Sequence, residues 1–78
     1  MNRNYRLSSK LLIKLGKNIR EVREDKNKTQ EQVSLDAGIE MSYFSKIERG
    51  EANPSLEIIY AIIKALNIKS HEILPFLS

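Results

Sequence analysis

Cysteine is absent from this 78-residue chain, and histidine occurs once, at position 71. The first absence excludes a disulfide framework, a zinc ribbon and a thiol nucleophile. The second leaves no histidine-based metal cluster and no Ser-His-acid arrangement within one chain. His71, beside Glu72, reads as a solvated helix-start residue. Long apolar runs are missing too. Ile58-Ile59-Tyr60-Ala61-Ile62-Ile63 is the longest, far short of the roughly 20 residues that cross a bilayer. Leu11-Leu12-Ile13 is interrupted at once by Lys14, so no signal-peptide core is present. The three glycines, Gly16, Gly38 and Gly50, stand too far apart to form a phosphate-cradling loop. No segment alternates with period two, and no repeat or low-complexity tract occurs. These absences point to one all-α, cytoplasmic domain that is not an enzyme and needs no metal or cofactor.

What is present is an uneven charge. Hydrophobic residues make up 41% and charged residues 29%, an ordinary globular mixture. The net charge is +3, but residues 1–28 carry nine Lys and Arg against three acids, and residues 29–78 carry four against seven. The modest total conceals a basic end. Such asymmetry suits a polyanion, nucleic acid before a membrane surface. A membrane-bound amphipathic helix needs bulky aromatics opposite its lysines, and Tyr5 is the only aromatic in that segment. A solvated helix face accounts for the charge alone equally well.

Helical periodicity organises the rest. Leu12, Leu15, Ile19 and Val22 form one stripe, with Ser8 or Ser9 able to cap its start and Lys26-Asn27-Lys28 ending it. Thr29-Gln30-Glu31-Gln32 has the form of a capping box. The short helix it opens, with Val33, Leu35 and Ala37, stops at Gly38. A third segment runs from Met41 to Arg49 with Phe44 and Ile47 inward, and Gly50 supplies its left-handed end. Ser55 caps a fourth, striped by Leu56, Ile59, Ile62, Ile63 and Leu66 and ended by Asn67. Ser70 to Phe76 is expected to form a fifth. At this size only about 60% of the unfolded surface can be buried, so a partner would help stability.

Between Thr29 and Gly50, two short helices flank a tight turn at Gly38-Ile39-Glu40, the geometry that lets a second helix lie in a DNA major groove. Val33, Ala37, Ile39, Phe44 and Ile47 face inward. Met41, Ser42, Ser45, Lys46 and Arg49 are left pointing outward along one side.

The residues of Thr29 to Ile39, Ser42 to Gly50 and Asn53-Pro54-Ser55-Leu56 resemble the Cro and phage-repressor type of helix-turn-helix protein, and the likeness spans roughly Leu15 to Leu74. Small proteins of this plan include restriction–modification controllers, mobile-element repressors and antitoxin subunits. Two departures stand out: Ser34 replaces a small apolar residue, and Glu40 replaces a Ser or Thr cap. Controllers often carry Arg-Thr-Tyr-Ile where this chain has Met41-Ser42-Tyr43-Phe44.

The resemblance implies a compact five-helix domain over residues 9–78, with 1–8 as an arm that is either disordered or a source of further phosphate contacts. It implies a transcriptional regulator of double-stranded DNA, with a recognition helix at about residues 41–49. Met41, Ser42 and Lys46 would read bases, with Glu40 and Ser45 as further candidates. Gln30 and Arg20 would meet phosphate, as would Asn53 and Ser55 in the loop after Gly50, and Gln30 would also brace the recognition helix. Plain helix capping is the alternative role of Gln30 and Ser55. Arg23 and Glu48 match an internal salt bridge. Ile58, Tyr60, Ile73, Leu74, Phe76 and Leu77 exceed what so small a monomer should expose, so a homodimer on a pseudo-palindromic operator is expected. The length leaves no room for a sensor of a small-molecule effector. The competing reading is a protein-interaction module of antitoxin type that uses the same outward face of residues 41–49.

Overall fold

Four α-helices and one 3-10 turn make up the residues, 8–74, that the computed structural model describes: α1 (Ser9–Asp25), α2 (Gln30–Ala37), α3 (Met41–Glu48), α4 (Leu56–Leu66) and the turn Ser70–Glu72. No strand occurs among them. Residues 1–7 of the expected arm, and Phe76 and Leu77, lie outside the described residues.

Helix starts follow the side chains that can accept from free backbone N–H groups. The Ser8 hydroxyl accepts from Leu11 N at 3.2 Å and the Ser55 hydroxyl from Ile58 N at 3.2 Å. Thr29 and Gln32 form the reciprocal box: Gln32 N donates to Thr29 Oγ1 at 3.0 Å, and Thr29 N donates to Gln32 Oε1 at 2.8 Å. Each such cap contributes about 1 kcal/mol.

The ends share one device. Asn27, Gly38, Gly50 and Asn67 all sit in the left-handed region, with φ of 56°, 73°, 75° and 54°. After each, the next N–H reaches back across the turn: Lys28 to Arg23 O (3.1 Å), Ile39 to Ser34 O (3.0 Å), Glu51 to Lys46 O (2.9 Å) and Ile68 to Ile63 O (3.3 Å). All four α-helices therefore close in a Schellman motif.

The core combines Leu15 and Ile19 of α1, Val33 of α2, Phe44 and Ile47 of α3, and Ile59, Ile62 and Leu66 of α4. Each fully buried aliphatic or aromatic side chain contributes roughly 1.5–3 kcal/mol. α2 packs on α3 and α4, while α1 packs on α3.

Three expectations are corrected. The fifth helix is only the 3-10 turn, because Ile73 and Leu74 turn inward to seal the core and the Ile73 carbonyl accepts from Asn18 Nδ2 of α1 at 3.1 Å. Ile73 and Leu74, expected to be exposed for a partner, are accordingly buried within the chain. Leu56, placed in the inward stripe of α4, is 79% exposed, so that stripe begins at Ile59, with Ile58 packed partly against the core.

Candidate nucleic-acid interface

The junction between α2 and α3 is tight because Gly38 takes the left-handed conformation at no steric cost. Ile39 then folds back, half-buried, against the core. Ser34, where the helices approach closely, is buried, and its hydroxyl donates to Glu31 O at 3.1 Å. A serine is thus accommodated where an alanine would need no partner. Glu40 precedes α3 with extended backbone (φ −70°, ψ 142°) and no side-chain cap bond, so its carboxylate stays at the exposed helix entrance.

Within α3 the two faces are sharply divided. Phe44, Ile47 and Glu48 are buried, whereas Met41, Ser42 and Lys46 are exposed and Ser45 is half-buried. Arg49, just beyond, is exposed and donates from Nη1 to Ser45 Oγ at 2.6 Å and from Nε to Glu51 Oε2 at 3.0 Å. That ion pair draws the Glu51 carboxyl below its ordinary pKa, first through the hydrogen bond from Arg49, and Lys46 acts in the same direction.

The inner face of α3 is anchored by charge. Arg23 Nε donates to Glu48 Oε2 at 2.6 Å and Arg23 Nη2 to Glu48 Oε1 at 3.1 Å, a two-pronged pair with the Glu48 side chain 2% exposed. Arg23 Nη1 also donates to Lys28 O at 2.8 Å, fixing the loop after α1. Gln30 Nε2 donates to the same Glu48 carboxylate at 2.8 Å, so α1, α2 and α3 share one acceptor. Hydrogen bonding to Glu48 raises the Arg23 pKa above its already high ordinary value. The resemblance implied both the Arg23–Glu48 pair and a bracing role for Gln30, whose amide here ties α2 to Glu48 of α3. Its second amide hydrogen is not committed by that bond.

Other expected site residues surround this unit. Arg20 is exposed on α1, its Nε 3.5 Å from Glu24 Oε2. Asn53 is half-buried and Ser55 exposed, with Pro54 buried between them. Sequence reasoning missed Gly16, which is buried against α3: a β-carbon there would overlap the carbonyl oxygens of Ile47 and Glu48. The signal was available, since a glycine inside a helical stripe normally has a packing reason.

Comparison with known proteins places this geometry. A family model described as helix-turn-helix matches residues 19–73. The chain is 32% identical over 71 residues to control protein C.BamHI of Bacillus amyloliquefaciens, covering 90% of this chain and 88% of that one. It is 36% identical over 55 residues to the immunity repressor protein of Bacillus phage phi105, covering 70% of this chain and 38% of the repressor. Among solved structures, the restriction-modification controller protein C.AhdI from Aeromonas hydrophila superposes with a TM-score of 0.77 at 37% identity, covering 80% of this chain and 94% of C.AhdI.

Proposed function

This chain belongs to the helix-turn-helix family of DNA-binding transcriptional regulators, and we propose that it acts in the cytoplasm as a homodimer on a pseudo-palindromic operator. It is related to restriction-modification controllers, and its family is not enzymatic. No helix among the described residues is long and apolar enough to cross a membrane.

The division within α3 carries this reading. Its buried side chains lock it to the other helices, and its exposed ones offer groups that suit base edges. Lys46 can donate to guanine O6 and N7, Ser42 and Ser45 can serve several bases, and Met41 can pack on a thymine methyl. Glu40 stands at the helix entrance and can accept from cytosine. Arg20, Gln30, Asn53 and Ser55 flank the helix and supply phosphate contacts, which set register rather than sequence.

The dimer rests on what α4 leaves uncovered. Tyr60 is 61% exposed and lies one turn from the exposed Leu56, while Ile58 is half-buried against the core. The Lys64 ammonium lies 5.6 Å from the centre of the Tyr60 ring, flanking the apolar group with charge. A two-fold pair would set the two α3 helices about 34–36 Å apart, one turn of DNA.

Selection of bound duplexes from a random pool, followed by titration of one winner at several salt concentrations, tests the reading. A recovered inverted repeat and an affinity that falls steeply with salt are expected. Recovery of no duplex, even at low salt, would leave the protein-interaction reading in its place.

A further inference from the structure

Arg49 and Glu51 have no part in the contacts assigned above, yet they are built together. Arg49 extends the outward stripe of Ser42 and Lys46 by a further turn, at the C-terminal end of α3. That is the end of a recognition helix that lies nearer the DNA backbone than the base edges. Its guanidinium is held in place by two neighbours: Ser45 Oγ accepts from Nη1 at 2.6 Å, and Glu51 Oε2 accepts from Nε at 3.0 Å. Both members of the pair remain about half exposed, at 50% and 56% of their side-chain surface. Glu51 is placed there by local structure, because the left-handed Gly50 turns the chain back and Glu51 N donates to Lys46 O at 2.9 Å.

We infer that Arg49 is a phosphate-contacting residue whose availability is set by Glu51, a carboxylate that occupies the guanidinium in the free protein and competes with DNA phosphate for it. The inference rests on the DNA-binding reading and adds to it a residue that tunes affinity. A guanidinium presents the same planar fork to a carboxylate and to a phosphate, so the two acceptors are alternatives for one donor edge. Ser45 Oγ holds the guanidinium at Nη1, away from the Nε edge that Glu51 occupies. The backbone bond from Glu51 N to Lys46 O also keeps Glu51 next to the residue that offers the base-reading cation. Glu51 therefore lowers attraction for any duplex. It tunes affinity for operator and bulk DNA alike and leaves the ratio between them to Met41, Ser42 and Lys46.

The test is a double-substitution cycle on the full chain: wild type, Glu51→Gln, Arg49→Ala and both together, each titrated by fluorescence anisotropy against the selected operator and a random-sequence duplex. Glu51→Gln should tighten binding to both duplexes by about two- to five-fold per half-site, the span that an exposed ion pair allows. It should also steepen the salt dependence by up to about one charge per half-site. Arg49→Ala should weaken both, and adding Glu51→Gln to it should restore little. Thermal melting should stay near that of wild type in all four proteins, since the pair is exposed. If Glu51→Gln tightens binding equally with and without Arg49, the carboxylate merely repels phosphate at a distance and the exchange is refuted. If Arg49→Ala leaves affinity unchanged, Arg49 is no contact. A wild type that binds neither duplex overturns the DNA-binding reading itself, which separates the two failures.

Discussion

Gly16 of α1 lies against the carbonyl groups of Ile47 and Glu48 at the end of α3, and a β-carbon there would stand 2.8 Å from the Glu48 carbonyl carbon. Alanine is the better helix former by about 0.5–1 kcal/mol. Overpacking against rigid backbone costs about 1–3 kcal/mol, and here the obstacle is backbone rather than a flexible side chain. Gly16→Ala should therefore lower the melting temperature, by roughly 4–8 °C for each kcal/mol of net loss. A raised melting temperature would show that α1 and α3 can separate without penalty.

Arg23 should matter through folding. Removing it leaves the Glu48 carboxylate buried with only Gln30 as a side-chain donor. Breaking a buried pair in this way costs about 3–5 kcal/mol, a large part of a small domain's stability. Arg23→Ala should melt far below wild type, while replacing both Arg23 and Glu48 by methionine should recover much of the loss. The pKa of Arg23 is raised in the folded chain, so its contribution is complete below the unfolded value and is lost only in strong alkali. The guanidinium should therefore contribute undiminished across the neutral range. Unchanged melting with binding abolished would instead make Arg23 a direct DNA contact.

Reading and positioning separate at Lys46 and Arg20. A good contact to guanine discriminates by roughly 1–3 kcal/mol, so Lys46→Ala should flatten the preference at one position in each half-site. Arg20→Ala should weaken all duplexes alike and make the salt dependence shallower by about one charge per half-site. Repeating the duplex selection with both variants checks this. The reverse pattern would displace the recognition helix from α3.

Association should run through α4. Light scattering at tens of micromolar should give the mass of two chains, and Tyr60→Glu should shift it toward one. The same variant should bind a single half-site and the full operator with similar affinity, because the two sites are then filled independently. A wild type that scatters as a monomer at that concentration would remove the dimer.

Local signals in the sequence carried most of the helix boundaries. Thr29 with Gln32, Ser55, Gly38, Gly50 and Asn67 each act within a few residues, and each sits where it was expected to. The inward pair Phe44 and Ile47 was equally plain from period. Contacts across the chain were not. Ile73 is sealed inside by Asn18, 55 residues away, and nothing in the C-terminal pattern distinguishes that burial from exposure. Leu35 and Leu56 fit an apolar reading of their helices but are 77% and 79% exposed: Leu35 stands two residues from Val33 and so on the outer side of α2, and Leu56 precedes Ile59, the first buried residue of α4. The base-facing side of α3 was legible because exposure there is simply what the inward stripe leaves over. The bond from Gln30 to Glu48 was legible only through the resemblance, whose matching glutamine braces the recognition helix, since sequence spacing alone says nothing about which side chains meet across two helices.

The four left-handed closures bear on how the chain reaches this state. Each helix is ended by hydrogen bonds that span only a few residues, so its end point is specified locally even though helices as short as α2 and α3 need tertiary packing to persist. Assembly then involves little search over competing end points. Small helical domains dominated by such near-neighbour order fold in about microseconds to milliseconds. For a regulator, that speed lets the amount of competent protein follow synthesis with almost no delay.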